Sequence, residues 1–332
     1  MRTLEQAPRG IAGPGGTPQF GAYSGLLPST DLSQVAQRAG LSRLGRLARE
    51  KRWIWFGAGD ARVAVGVALI DLGYLASVFL WVLDRTTGRL LVDGSAILPS
   101  FAVRVGDRPG DGFEARARAP QGSLALVQRG SVLRATGTLF GVGLSLDLES
   151  GPGCGAMSAI CPVAGHPGAA NVTVKCAPLT VRGTIEVAGH RLALEGAPGF
   201  TDTTHGLLAR NTAWRWAAAF GSLPDGRPVG LNLTEGFNDD VENVVFLGGE
   251  PHGVGAARFS WDPARPEAPW RVTTLDGAVD LTLAVEGVRR EDVDLKLVVS
   301  RYAQPIGAWS GTIAGERVEG LLGVAEDHVA RW

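Results

Sequence analysis

Beyond Lys51 the chain is cut by Gly, Asp and Pro into short segments, among them RVAVGVALID, LASVFLWVLD, GRLLVDGS, GFEARARA and GSLALVQ, which match strands better than helices. Segments such as FEARARA and LRATGTLFGVGLSLDLE alternate apolar or small with polar side chains, the mark of a sheet with two different faces. With 47 Gly and 19 Pro among 332 residues, tight turns are frequent and no collagen-like period explains them. A mainly β chain of many short antiparallel strands is satisfied by closed or nearly closed barrels. The run Val63–Leu83, VAVGVALIDLGYLASVFLWVL, is long enough to cross a bilayer as a helix, but Asp71 sits in its middle and Gly73 breaks it. Two buried strands joined by a turn are expected there, so no integral membrane segment is assigned.

The length suits two domains. An N-terminal arm is expected over residues 1–50, a first β domain over 51–198 and a second over 199–332, the break being set by Ala197, Pro198 and Gly199. Within the arm, MRTLEQAPRGIAGPGGTPQF has no apolar core of secretory length and reads as a flexible arm of a cytoplasmic protein. DLSQVAQRAGLSRLGRLARE then spaces its apolar residues for one or two short amphipathic helices broken near Gly40. A formal net charge of −1 offers no basic field for nucleic acid. Cys154, Cys161 and Cys176 fit neither a disulfide framework nor a zinc site, so reduced thiols and no metal are expected. The Gly-, Ala- and Pro-rich stretch from Ser150 to Ala177 reads as a long irregular loop, a lid or a loosely ordered surface segment.

Unusual chemistry concentrates in Thr201–Gly221, TDTTHGLLARNTAWRWAAAFG, which packs Asp202, His205, Arg210, Asn211, Trp214, Arg215 and Trp216 into one short span. Polar groups interleaved with indoles suit the floor of an apolar pocket. Asp202, His205 and Glu242 are the candidate proton donors, since a carboxylic acid in an apolar cavity keeps its proton near neutral pH. Arg210, Trp214, Trp216, Asn232 and Asn243 are the candidate ligand contacts. The alternative is structural: Trp214 and Trp216 as alternating strand residues, His205 as a satisfied loop histidine, and Arg210 or Arg215 in a buried ion pair with Asp202 or Glu242. At the C-terminus, Glu326, Asp327 and His328 cannot all turn to one ion on a strand, and charge pairing with Arg331 that seals a barrel end is expected. No P-loop, dinucleotide-binding glycine fingerprint or nucleophile elbow is present, and no cofactor is assigned.

HGLLARNTAWRWAAAFG, DGRPVGLNL, the VEN of Val241–Asn243 and the closing GVAEDHVARW together resemble a bacterial family described as domain of unknown function 2804, as do KRWIWF and LIDLGY upstream. More distantly the arrangement is similar to two-domain lipocalin-like proteins, which include carotenoid 1,2-hydratases and lipocalin-like Diels–Alderases. The resemblance implies two lipocalin-like barrels or strongly curved sheets packed together. In the hydratases a histidine- and aspartate-containing motif ending in a tryptophan-glycine pair opens the second domain. Asp202 and His205 precede Trp214 and Trp216 in a comparable place, although no HDHNWG string occurs here. The expected function is binding of an isoprenoid, polyketide or fatty-acyl type molecule at the domain junction, with cofactor-free lyase or isomerase chemistry as its sharper form. A non-catalytic lipid carrier and a structural module with filled barrels are the alternatives.

Overall fold

In a computed structural model that describes residues 1–238, 241–296 and 298–332, the described strands form two large sheets, one of fourteen strands and one of ten. One sheet closes to a half-barrel and the other to a nearly complete barrel, with two short helices, Ser33–Arg38 and Arg43–Arg49, before them. The helices fall where the apolar spacing puts them and break at Gly40, whose φ is +65°. The Val63–Leu83 run forms the strands Val63–Asp71 and Leu75–Asp84, with the Asp71 carboxylate accepting from the Gly73 amide in the turn. No described helix is long and apolar enough to cross a membrane.

Both sheets are meanders whose last long strand returns to pair with the first. His190–Leu207 lies against Glu50–Gly59 in the first sheet, and Glu316–Arg331 lies against Asn211–Ser222 in the second. The concave faces are mostly packed, the first leaving a cavity of about 80 Å³ lined by residues that include Ile54, Leu133, Leu148 and Thr203. Ile54, Phe56, Val65, Leu80, Leu126 and Leu146 are among the aliphatic and aromatic residues packed inside the first sheet, and Leu231, Val272, Leu281 and Trp309 among those inside the second. A third apolar cluster, including Trp55, Phe79, Trp81, Phe200, Trp216, Phe220 and Phe246, joins outward-facing residues of the two sheets. Alternation along each strand supplies both layers at once, since neighbouring side chains point to opposite faces.

Three expectations change. The Ala197–Gly199 break does not end a sheet: His190–Leu207 runs through it in the first sheet, and Asn211 opens the second. A register shift between Val181 and Arg182 and the left-handed Gly196 (φ +78°) absorb the irregularity as a bulge. The stretch read as an irregular loop, either a lid or a loose surface segment, is largely regular, because Gly155–Pro162 pairs with Ala170–Val187. Its small residues permit close packing, and a Cβ at Gly155 would strike the Phe246 ring of the second sheet. The N-terminal arm is tied down as well: Arg2–Thr3 pairs with Glu250–Gly253 of the second sheet, and Glu5–Gln6 pairs with Gly21–Ser24 of the first.

Aromatic rings of the middle layer lie over strand glycines. Trp81 covers its cross-strand partner Gly66, and a Cβ there would overlap the indole. Gly66→Ala should therefore cost about 1–3 kcal/mol by overpacking, whereas Gly151→Ala, with open space around it, should stay within about 0.5 kcal/mol of wild type. Urea unfolding of the two variants checks this, and equal stability would refute the packing account.

Candidate functional site

The two closing strand pairs turn their outward faces toward each other, and the gap between them is a cavity of about 140 Å³. Trp53, Trp55, Asp202 and Thr204 line it from the first sheet, and Trp214, Trp216, Glu326 and His328 from the second. Their strand numbers differ by two within each set, which is why each set shares a face. Trp53 and Trp214 are nearly parallel, with centroids 6.4 Å apart and 9° between planes, and Trp55 meets Trp216 edge to face at 5.1 Å. The Trp55 Nε1 donor is buried and has no hydrogen-bond partner among the described residues.

At one end of this wall lies a buried charge cluster. Lys175, directly opposite Asp202 on the neighbouring strand, places Nζ 2.6 Å from Asp202 Oδ2 and 3.8 Å from Glu242 Oε2. Glu242 belongs to the segment following Pro228–Glu235, so the lysine bridges the two sheets. One ammonium facing two carboxylates leaves a negative charge too many for a desolvated place. Burial pushes the Glu242 carboxyl above its usual range, the Lys175 ammonium opposes this, and the Asp202 carboxylate adds to it. Asn238 Nδ2 donates to Glu242 Oε2 at 2.9 Å and its own Oδ1 accepts from Asn171 Nδ2 at 3.1 Å, which fixes the acid from the side. The Glu242 carboxyl is thus held beside an apolar, aromatic space.

Of the residues singled out in the sequence, Asp202, Glu242, Trp214, Trp216, Glu326 and His328 line the cavity. His205 does not: three places from Asp202, it points to the opposite face of the strand, buried at the end of the first sheet. Its Nε2 lies 2.7 Å from Glu50 Oε1 and its Nδ1 3.3 Å from the Thr30 hydroxyl. Asn232 and Asn243 are fully buried behind the wall. Asn232 accepts from Trp216 Nε1 at 2.7 Å and donates to the Glu242 carbonyl at 3.0 Å, while Asn243 accepts from the Thr234 amide at 2.7 Å. Asn232 positions the indole and the Glu242 backbone, and neither asparagine is among the lining residues of this cavity. Arg210 donates to the Trp332 carbonyl at 2.6 Å away from the cavity. The buried ion pair expected of Arg210 or Arg215 is made by Lys175 instead, and Arg215 sits 3.4 Å from Asp327. Arg331 reaches the Lys296 carbonyl and leaves the Glu326–His328 pair to other partners. Lys175 carries no motif in VTVKCA; its signal is a lone cation within an apolar strand segment. No cluster that could hold a metal ion occurs among the described residues.

The outward-facing junction between two curved antiparallel sheets makes this a two-domain lipocalin-like barrel protein. The chain belongs to the family described as domain of unknown function 2804, whose model matches residues 4–332. Among solved structures, the kievitone hydratase of Nectria haematococca is 14% identical, with a TM-score of 0.51 over 83% of this chain and 88% of that one. CghA with Sch210972 is 11% identical, with a TM-score of 0.45 over 99% of this chain and 98% of that one. No curated protein matches this chain.

Two outcomes follow. Lys175→Met strands two buried carboxylates and should lower stability by about 3–5 kcal/mol in urea unfolding; wild-type stability would remove the bridging role. Burial lowers the His205 pKa, with Glu50 opposing, so the folded chain binds that proton less tightly than an ordinary histidine of pKa about 6.5. The corresponding stability is full above that value and is lost as pH falls through the lower folded one. Between about pH 7.5 and about pH 5.5, wild type should lose unfolding free energy more steeply than His205→Gln, and parallel curves would contradict this.

Proposed function

We propose that this protein binds a hydrophobic small molecule of isoprenoid, polyketide or fatty-acyl type between its two sheets and acts on it by cofactor-free acid/base chemistry. The observation that carries the reading is a single cavity with aromatic walls and the Lys175–Asp202–Glu242 cluster at its edge. The mostly packed concave faces, the first with a space of only about 80 Å³, support the larger junction cavity as the place of binding. At about 140 Å³ the enclosed part is near the size at which an apolar cavity accepts a benzene ring, so a longer ligand extends out of the open side. Lys175 is the only Lys or Arg among the described lining residues and is committed to two carboxylates. A free fatty acid would find no counter-charge there, so the buried portion of the ligand is neutral.

In this reading Glu242 gives its proton to an alkene or carbonyl of the ligand. Lys175 steadies the carboxylate left behind, and the indole faces stabilise positive charge developing on carbon. Loss of a proton from the adjacent carbon, or addition of water, completes an isomerisation or a hydration. The kievitone hydratase shows that this fold is also used by a hydratase.

Titration with the neutral probe N-phenyl-1-naphthylamine should show saturable binding that Trp214→Ala weakens about tenfold, equivalent to about 1.4 kcal/mol. Unchanged affinity would move the ligand elsewhere. Once a co-purified molecule is identified by solvent extraction and mass spectrometry, Glu242→Gln should keep its binding and lose turnover by about a hundredfold or more. Retained turnover would remove Glu242 as the acid.

A further inference from the structure

The other end of the cavity carries a second constellation that the Glu242 reading leaves unused. Ser300, Tyr302, Glu326 and His328 all line it, from the paired strands Val299–Ile313 and Glu316–Arg331. Tyr302 stands opposite His328 and Ser300 opposite Ala330, so Ser300 and His328 are diagonal neighbours on one face. Ser300 Oγ is 3.0 Å from His328 Nε2, and His328 Nδ1 is 3.5 Å from Glu326 Oε1. The carboxylate is itself fixed: Trp214 Nε1 donates to Oε1 at 2.8 Å and Gln304 Nε2 to Oε2 at 3.0 Å, and Gln304 Oε1 accepts from Trp81 Nε1 at 2.9 Å. Aromatic rings hold the imidazole in place, with the Trp214 centroid at 4.2 Å and that of Tyr302 at 5.4 Å.

A hydroxyl within hydrogen-bond reach of an imidazole, which a buried carboxylate orients in turn, is the arrangement that activates a serine, and it is recognised by geometry and not by sequence order. We propose that Ser300, His328 and Glu326 form a nucleophile, base and orienting carboxylate that hydrolyse a carboxylic ester whose apolar portion lies in the junction cavity. With the Nδ1 proton directed at Glu326, Nε2 is free to accept. Ser300 Oγ adds to the ester carbonyl carbon while His328 Nε2 takes the hydroxyl proton. Collapse breaks the bond to the alcohol, which leaves with that proton. Water then adds to the acyl carbon as His328 takes one of its protons, and release of the acid returns the proton to Ser300. The sum is ester plus water giving acid plus alcohol. Tyr302, on the same face, keeps its phenolic proton because burial and the nearby Glu326 charge raise its pKa well above the usual value, and it supplies a neutral donor for the oxyanion.

The proposal shares the cavity with the reading above but does not use Glu242. Incubating the full chain with diisopropyl fluorophosphate should give a single adduct, which peptide mapping places on Ser300 and which is absent in Ser300→Ala. His328→Asn should slow labelling about a hundredfold. Glu326 acts through His328, so Glu326→Gln should slow labelling and Glu326→Asp, which keeps the carboxylate, should restore part of the rate. Wild type should also hydrolyse p-nitrophenyl butyrate with a burst stoichiometric with protein. No adduct, an adduct away from Ser300, or undiminished labelling in His328→Asn would overturn the assignment. Absent labelling with naphthylamine binding intact would sink this assignment and leave the junction ligand standing.

Discussion

A single ammonium group answers for two buried carboxylates at the junction of the two sheets. Lys175 reaches Asp202 within its own sheet and Glu242 across the gap, and removing its charge would leave both acids facing each other in a desolvated place. Burial, with the Asp202 charge adding to it and Lys175 opposing, raises the Glu242 pKa, so the desolvated place that Lys175 ties together also sets the acidity of the cavity. Much of the remaining architecture supports this cluster. Asn171, Asn232 and Asn238 hold the Glu242 segment, and Trp216 anchors Asn232.

The cavity's position follows from a division of labour between strand faces. In each sheet the concave face is given mainly to aliphatic packing. Large aromatic residues and the exceptional polar ones share the outward face. There the rings overlie glycines, as Trp81 does Gly66 and Trp55 does Gly57, so that two bulky layers approach without clashing. Several polar groups on that face are satisfied across the junction, as in the link from Trp81 through Gln304 to Glu326 and Trp214. One network therefore spans both sheets and sets the geometry of the cavity's second end.

The alternating segments made the strands, the turns at Asp71–Gly73 and Asp84–Gly88, and the two short helices legible from the sequence, because these rest on local periodicity and turn chemistry. Asp202, Trp214 and Trp216 were legible as a group by the density of polar and indole side chains in Thr201–Gly221, whereas Glu242, which joins them at the cavity, was singled out separately. His205 was placed with them although a separation of three on a strand turns it to the other face, information that alternation already contained. Lys175 was hidden, since only the pairing of distant strands sets it against Asp202. The 150–177 stretch looked irregular because small residues serve there for close approach between sheets, a tertiary demand that overrides local appearance. Ser300 and His328 lie far apart in sequence and meet only through strand register.

The first six residues carry a consequence of their own. Arg2–Thr3 extends the second sheet at one edge and Glu5–Gln6 joins the first, with Leu4 between them buried in the layer that joins the sheets. This short strap clasps both halves at a single edge, like the spine of a book. A truncation of the first residues would remove this clasp and leave the sheets to the apolar layer, the Lys175–Glu242 contact and the Trp81–Gln304–Glu326 link.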